Sequence, residues 1–136
     1  MATAPQPPID FLLDPLTNDL DVSGGQLHFS TGLQAIAQGC RIRVQMIQGE
    51  WFLDQSLGVP YFKSATVASK DALLGQKPFD PIKAAAAFRA VLEAVPGVTQ
   101  VILSTVAFDS KTRKATLKWQ VRSEFGDTSP EELVTP

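Results

Sequence analysis

The chain has 136 residues, 44% of them hydrophobic and 19% charged, with a formal charge of −2. That length fits one domain able to bury roughly two thirds of its unfolded surface, and the composition excludes wholesale disorder. The near-balanced charge gives no basic footprint for nucleic acid, and a lone Cys40 beside a lone His28 rules out an intrachain disulfide and disfavours a transition-metal site.

The first residues, MATAPQPPID, lack the basic and apolar stretches of a secretory signal, and no apolar run approaches the eighteen or so residues that span a bilayer. Synthesis in the cytoplasm without membrane insertion is the expectation. Pro5, Pro7 and Pro8 favour an extended arm over residues 1–9. Phe11, Leu12 and Leu13 suit a short strand or an anchor into the core. Leu20 and Val22 alternate with aspartates, Leu27 and Phe29 with Gln26 and His28, and Ser23-Gly24-Gly25 between them signals a hairpin. His28 falls on its polar face, as a solvated histidine.

Ser30 or Thr31 can cap the helix that follows. Leu33, Ala37, Cys40, Val44 and Ile47, with Ile36 beside them, fall at helical spacing and form a buried stripe of about four turns. A second stripe, Gln34, Gln38, Arg41, Gln45 and Gln48, is polar yet nearly uncharged. It reads either as a solvated face or as a surface for a neighbouring protein, where amides bond without the desolvation cost of full charges. Gly39 inside the helix costs about 1 kcal/mol relative to alanine and allows a close backbone approach.

The densest signal is GEWFLDQSLGVPYF, Gly49 to Phe62. Helical periodicity stops at Gly49, an aromatic strand-prone stretch begins with Trp51 and Phe52, Asp54 to Gly58 reads as a turn, and Val59, Pro60, Tyr61 and Phe62 follow. A glycine-bounded segment of this kind fixes a backbone path or presents a surface. Stacking of bases by these aromatics is disfavoured without a basic patch, so core packing is expected for them.

Thr66 to Gly75 is ambiguous, with one helical turn suggested from Ser69. Asp80 caps and Pro81 opens a second helix, whose stripe is Ala85, Phe88, Leu92 and Val95 and which Pro96-Gly97 ends. The alanines at 84–87 suit close packing on a sheet. Val98 to Phe108 is β-branched, Asp109 to Thr112 is a turn, and Leu117, Trp119 and Val121 alternate with polar residues. The fold class is α+β: two main helices on a mixed or antiparallel sheet with a C-terminal hairpin. The domain is placed at 10–125, and residues 126–136 read as an acidic mobile tail.

No residue set forms a strong catalytic motif. Glu50 and Asp54, if extended, put their α-carbons about 13 Å apart, whereas a glycosidase pair needs carboxyl groups about 5–10 Å apart across a sugar. The structural reading pairs Glu50 with Arg41 or Arg43 and lets Asp54 cap a turn. Gly24-Gly25 lacks the pattern of a phosphate loop. The closing hairpin carries Lys111, Arg113, Lys114, Lys118 and Arg122 against Glu124. Lysines there either blunt an edge against aggregation or steer an acidic arm into strand addition.

Taken in order, the D-L-D-V-S-G-G-Q-L hairpin, the L-Q-A-I-A-Q helix, G-E-W-F-L-D, G-V-P-Y, a helix ending P-G-V and a strand hairpin resemble the baseplate wedge or sheath-initiator family of contractile-tailed phages and related contractile injection machines, a group also labelled lysozyme-like. The resemblance covers roughly residues 10–125. It implies a domain similar to the linking part of a sheath subunit, seated in a baseplate around the tail tube. Six copies in contact with wedge proteins, the tail sheath protein and tube or tube-initiator proteins are implied, with the isolated chain monomeric. Carried over, Gly49, Glu50, Trp51, Phe52, Asp54, Gly58, Pro60 and Tyr61 are the family's central motif, structural and wedge-facing. Lys114, Thr116, Lys118, Gln120 and Arg122 are placed on the sheath-receiving hairpin, and Gln34, Gln38, Arg41 and Gln45 on a partner-facing helix side. The wider family's Glu-Pro-Arg motif is missing, so the role of its arginine does not transfer.

The leading expectation is therefore a non-enzymatic assembly component that joins wedge proteins and templates the first sheath ring by strand addition, without cofactor or metal. A cell-wall glycan hydrolase acting through Glu50 and Asp54 is the alternative from another class, and a free-standing binding module the third.

Overall fold

The computed structural model describes residues 9–14, 16–63, 67, 72–74 and 79–134. Residues 1–8 of the expected arm and the turn expected from Ser69 lie outside them. Among the described residues, two antiparallel sheets and two α-helices make a small α+β domain. The first sheet pairs β1 (Ile9–Phe11) with β2 (Phe29–Thr31). Helix α1 (Leu33–Gln45) follows at once. Helix α2 (Pro81–Glu93) leads into β3 (Val98–Asp109), which pairs antiparallel with β4 (Lys114–Ser123).

The hairpin expected around Ser23-Gly24-Gly25 is not the main pairing. The chain at Leu12 lies between its two arms, donating from its N–H to the His28 carbonyl (3.0 Å) and accepting from the Asp21 N–H (2.9 Å). One long bond, His28 N–H to the Asp21 carbonyl at 3.4 Å, is left directly between the arms. The Ser23–Gly25 turn is closed further by His28, whose ring contacts the Ser23 carbonyl (2.8 Å). Helix α1 is also entered differently: its N-cap is Gly32 at φ 59°, a conformation that suits glycine, and neither Ser30 nor Thr31 caps it. Ser30 is instead fully buried between β1 and the helix start, its hydroxyl directed at the Asp10 carbonyl.

Helix α1 buries Ile36, Cys40 and Val44, one residue per turn, against α2 and the larger sheet. A Cβ at Gly39 would stand 3.3 Å from the Val95 side chain, so what this glycine makes room for is a side chain two residues past α2 rather than another backbone. In α2 the Asp80 carboxylate accepts from the N–H groups of Ile82 (3.0 Å) and Lys83 (3.2 Å), as the sequence leads one to expect. Its buried stripe is Ala84, Phe88 and Leu92, with Ala85 only half-buried. The Ala85 carbonyl accepts from the Ser104 hydroxyl (3.0 Å), and Arg89 donates to the Val101 carbonyl (3.2 Å), tying the helix to β3. From β4, Ala115, Leu117, Trp119 and Val121 point inward. Each of the last three contributes roughly 1.5–3 kcal/mol by burial.

Two expectations fail in informative ways. Trp51 and Phe52 do not start a strand: residues 50–57 form successive turns, with Asp54 N–H to the Trp51 carbonyl (3.2 Å) and Leu57 N–H to the Asp54 carbonyl (3.5 Å). And the segment expected as a mobile tail is strand. β5 (Gly126–Asp127) and β6 (Glu131–Val134) both pair antiparallel with β4. Thr128 is buried at 5% exposure, with its N–H 2.9 Å from the Val121 carbonyl, so the chain is pinned just before the Ser129-Pro130 break. Acidity and flanking prolines suggested mobility, but Glu131, Glu132 and Asp127 each have a cation waiting on the domain.

The segment after α1 returns to close that helix. A helix leaves its last four carbonyls without intrahelical partners. Here the Val59 N–H donates to the Met46 carbonyl (2.9 Å), the Gln48 N–H to the Val59 carbonyl (2.9 Å), and the buried Tyr61 hydroxyl to the Val44 carbonyl. The return is tight enough that Gly58, at φ 99°, has no room for a side chain: a Cβ would lie 2.7 Å from the Met46 carbonyl oxygen. Gly58→Ala is expected to cost about 3 kcal/mol through strain and displaced closure, read as a lowered thermal midpoint. An unchanged midpoint would show that the return path is not rigid.

Candidate functional site

The Gly49–Tyr61 motif divides into two halves with different work. Val59 is wholly buried and Tyr61 8% exposed, and burial pushes the Tyr61 hydroxyl up to about 12, so it stays a donor to Val44 at any ordinary pH. Gly58, Val59 and Tyr61 thus belong to the closure, and Pro60 joins it by accepting the Leu73 N–H at 2.9 Å. The other half faces outward. Phe52 is 80% exposed, Leu53 69% and Trp51 42%, so the core packing expected for these aromatics holds for Tyr61 and not for Trp51, Phe52 or Phe62. For Trp51 and Phe52 the reason is local: with Gly49 at φ 91° and turns through 57, the backbone doubles back before their side chains can reach the core.

Glu50 and Asp54 sit on this turn, both exposed. Asp54 accepts from the hydroxyl (2.5 Å) and N–H (2.9 Å) of Ser56, bonds that hold its carboxyl below the usual carboxylate range. A general acid needs the opposite shift. Asp54 is a turn-forming carboxylate. Arg41, offered as a partner for Glu50, is engaged elsewhere. A shallow groove beside the turn is lined by Arg43, Met46, Ile47, Glu50, Trp51 and Leu57. Among the described residues no group of His, Cys, Asp and Glu could hold a metal ion, and no helix is long and apolar enough to cross a membrane.

The polar side of α1 is mostly occupied within the chain. Gln38, expected on an outward face, is 1% exposed: its Oε1 accepts from the Leu13 N–H (2.9 Å) and its Nε2 donates to the Phe11 carbonyl (2.6 Å). A primary amide is the group that can serve one donor and one acceptor of the same strand together. Arg41 pairs with Glu131 at 3.1 Å, and Gln45 accepts from the Asn18 amide at 3.4 Å. Gln34 and Gln45 remain exposed.

On β4 the side chains of Lys114, Lys118 and Arg122 are exposed, with Thr116 and Gln120 between them half-covered. Two of the charges are matched by the C-terminal segment: Lys118 with Glu132 at 3.0 Å and Arg122 with Asp127 at 3.0 Å. Gln120 donates to the Thr128 carbonyl (2.9 Å). Strand β4 therefore lies between β3 on one side and β5 and β6 on the other, and its backbone is not an open edge along 116–119 or 122–123. Among the described residues, Lys111, Arg113 and Lys114 at the hairpin tip make no ion pair.

Glu131, Leu133 and Thr128 were missed as site residues because their segment read as a tail. No sequence signal marks them: E-E-L-V is two acids followed by two apolar residues, without period-two alternation, and only the structure turns Glu131 and Leu133 inward while Glu132 and Val134 stay exposed. Glu131 Oε1 meets Arg41, whereas its Oε2 is buried with no hydrogen-bond partner among the described residues. Burial raises the Glu131 carboxyl more than Arg41 lowers it.

Two outcomes test these assignments. Gln38→Leu keeps the volume but leaves the Leu13 N–H and Phe11 carbonyl unpaired; about 2–3 kcal/mol of stability should be lost, with amide exchange accelerated at Leu13. Unchanged protection there would mean the strand is held by other contacts. For Glu131, a pKa raised on docking means that docking is favoured when the carboxyl is protonated and weakens as pH rises through that raised value. The Leu133 methyl resonances should shift toward an undocked state as pH rises above the ordinary carboxylate range, with Glu131→Gln removing the dependence; a pH response identical in the two proteins would exclude Glu131 as its source.

None of the curated proteins compared with the chain matches it. A family model described as the contractile injection system sheath initiator matches residues 9–126, from the first residue of β1 to the start of β5. Most of the chain is covered, including the helix closure, the outward turn and the β3–β4 hairpin. The chain belongs to the sheath initiator family, structural components of contractile injection systems.

Proposed function

We propose that this chain sits in the baseplate and gives the first ring of sheath subunits a sheet on which to add strands, while wedge proteins hold it through the turn at residues 50–57. The observation that carries the sheath half is the far edge of β4. It is completed by two short strands separated by Ser129-Pro130, so the sheet accepts segments there piecewise. An edge held in place by an assembled baseplate lowers the entropic cost of docking the first sheath subunit. The wedge half rests on Trp51, Phe52 and Leu53, which a tight turn holds away from the core; aromatic anchors in such a position are the residues that carry binding energy at interfaces. A second exposed apolar surface, where Phe11 stacks on Phe29 at 5.4 Å, is available to the tube or to a neighbouring copy in a ring of six.

The test is capture from a lysate producing the parent particle, using the tagged full chain and identifying partners by mass spectrometry. Sheath and wedge subunits are expected together. The exposed-turn variant Phe52→Asp/Leu53→Ser should keep its circular dichroism spectrum and its sheath capture but lose wedge proteins by tenfold or more. Undiminished wedge capture by that variant would remove the turn from the interface.

A further inference from the structure

Strand β6 differs from its neighbours in how it is held. It lies beyond the residues matched by the family model. It is four residues long and follows Pro130, which interrupts pairing between the anchored Thr128 and Glu131. Thr128 is fixed to Val121 from both its backbone and its hydroxyl, so β6 can leave without disturbing β5.

Its side chains spell out what the edge selects. Opposite Trp119, Glu131 turns inward to Arg41; opposite Lys118, Glu132 turns outward to the Lys118 ammonium; opposite Leu117, Leu133 enters an apolar slot walled by Tyr61, Leu74, Val106 and Leu117. The fit is imperfect, because one buried carboxylate oxygen of Glu131 has no partner among the described residues. The exposed Lys118–Glu132 pair, one leucine and an Arg41–Glu131 pair that only partly offsets the burial of its carboxylate are a weak hold, sustained by the high local concentration of a tethered segment.

We infer that the β4 edge at Thr116–Trp119 is an exchangeable strand site, filled in cis by Glu131–Val134, and that it takes from a partner chain an extended segment of the pattern acid, acid, apolar, apolar. This rests on the strand-addition reading above and adds to it a recognition pattern and a resident competitor. The partner's first acid replaces Glu131 over Arg41, its second meets Lys118, and its first apolar residue enters the slot of Leu133. In the free protein the resident strand blunts the edge against indiscriminate pairing.

The probe is a fluorescently labelled peptide carrying residues 128–134, with a second peptide of the same composition in which the two acids and two apolar residues are exchanged. Three full-length proteins are compared by anisotropy: wild type, Leu133→Asp, which ejects the resident strand, and Thr116→Cys/Val134→Cys, which faces two thiols across the β4–β6 register. Binding to Leu133→Asp at least tenfold tighter than to wild type, loss of binding in the oxidised double-cysteine protein with recovery on reduction, and rejection of the exchanged peptide are expected. A folded Leu133→Asp protein that binds no better than wild type, together with a double-cysteine protein indifferent to reduction, would overturn the exchange site. Sheath capture by the oxidised and reduced double-cysteine protein separates the two claims. Capture that ignores the staple while peptide exchange obeys it would overturn strand addition by the sheath and leave the exchange site standing.

Discussion

The polar groups of helix α1 set the terms for the rest of the molecule. Its final carbonyls must be satisfied from outside, and the chain does so by running out to residue 57 and back, placing the Val59 N–H on Met46 and the Tyr61 hydroxyl on Val44. The helix side is used in the same way: Gln38 holds the strand at 11–13 and Arg41 holds Glu131. Segments from before, just after and far after α1 are thus gathered on one helix by hydrogen bonds whose loss would leave buried groups unpaired. Hydrophobic packing of Ile36, Cys40 and Val44 supplies the bulk of the energy, but it does not by itself say which segment goes where.

This arrangement explains why one motif is buried in one half and exposed in the other. The closure needs Gly58, Val59 and Tyr61 in fixed places and needs the chain to reverse before them. A reversal built from Gly49, the Asp54–Ser56 turn and Gly58 must push something outward. What it pushes outward is Trp51, Phe52 and Leu53. The exposed apolar surface is a geometric by-product of sealing the helix, and the two cannot be altered independently at the glycines.

Much of this could be read from the residues. Asp80-Pro81 and the period of Phe88 and Leu92 mark α2, and the alternation of Leu117, Trp119 and Val121 marks β4 with its inward face correctly assigned. The failures share a cause: sequence patterns are local, whereas these outcomes are decided by distant competitors. Gln38 looks like any glutamine on a polar stripe until β1 arrives beside it. The Leu20–Phe29 alternation promises a hairpin, but Leu12 takes the backbone groups that the hairpin would have used. Residues 126–134 look unanchored because Arg41, Lys118 and Arg122, which receive their charges, lie elsewhere in the chain. Trp51 and Phe52 carry a strong apolar signal, and only the turn geometry decides that it points away from the core.

The attachment of β1 to α1 has a mechanical consequence. Tension applied at Ile9 is met by the short β1–β2 ladder and, within two to four residues, by the two Gln38 bonds to Phe11 and Leu13. Load entering there is handed to the side of a thirteen-residue helix. The four-stranded sheet lies downstream of that transfer, behind the helix packing. Such a part takes load from its N-terminal side first through polar bonds to a helix flank rather than through the β3–β4 ladder.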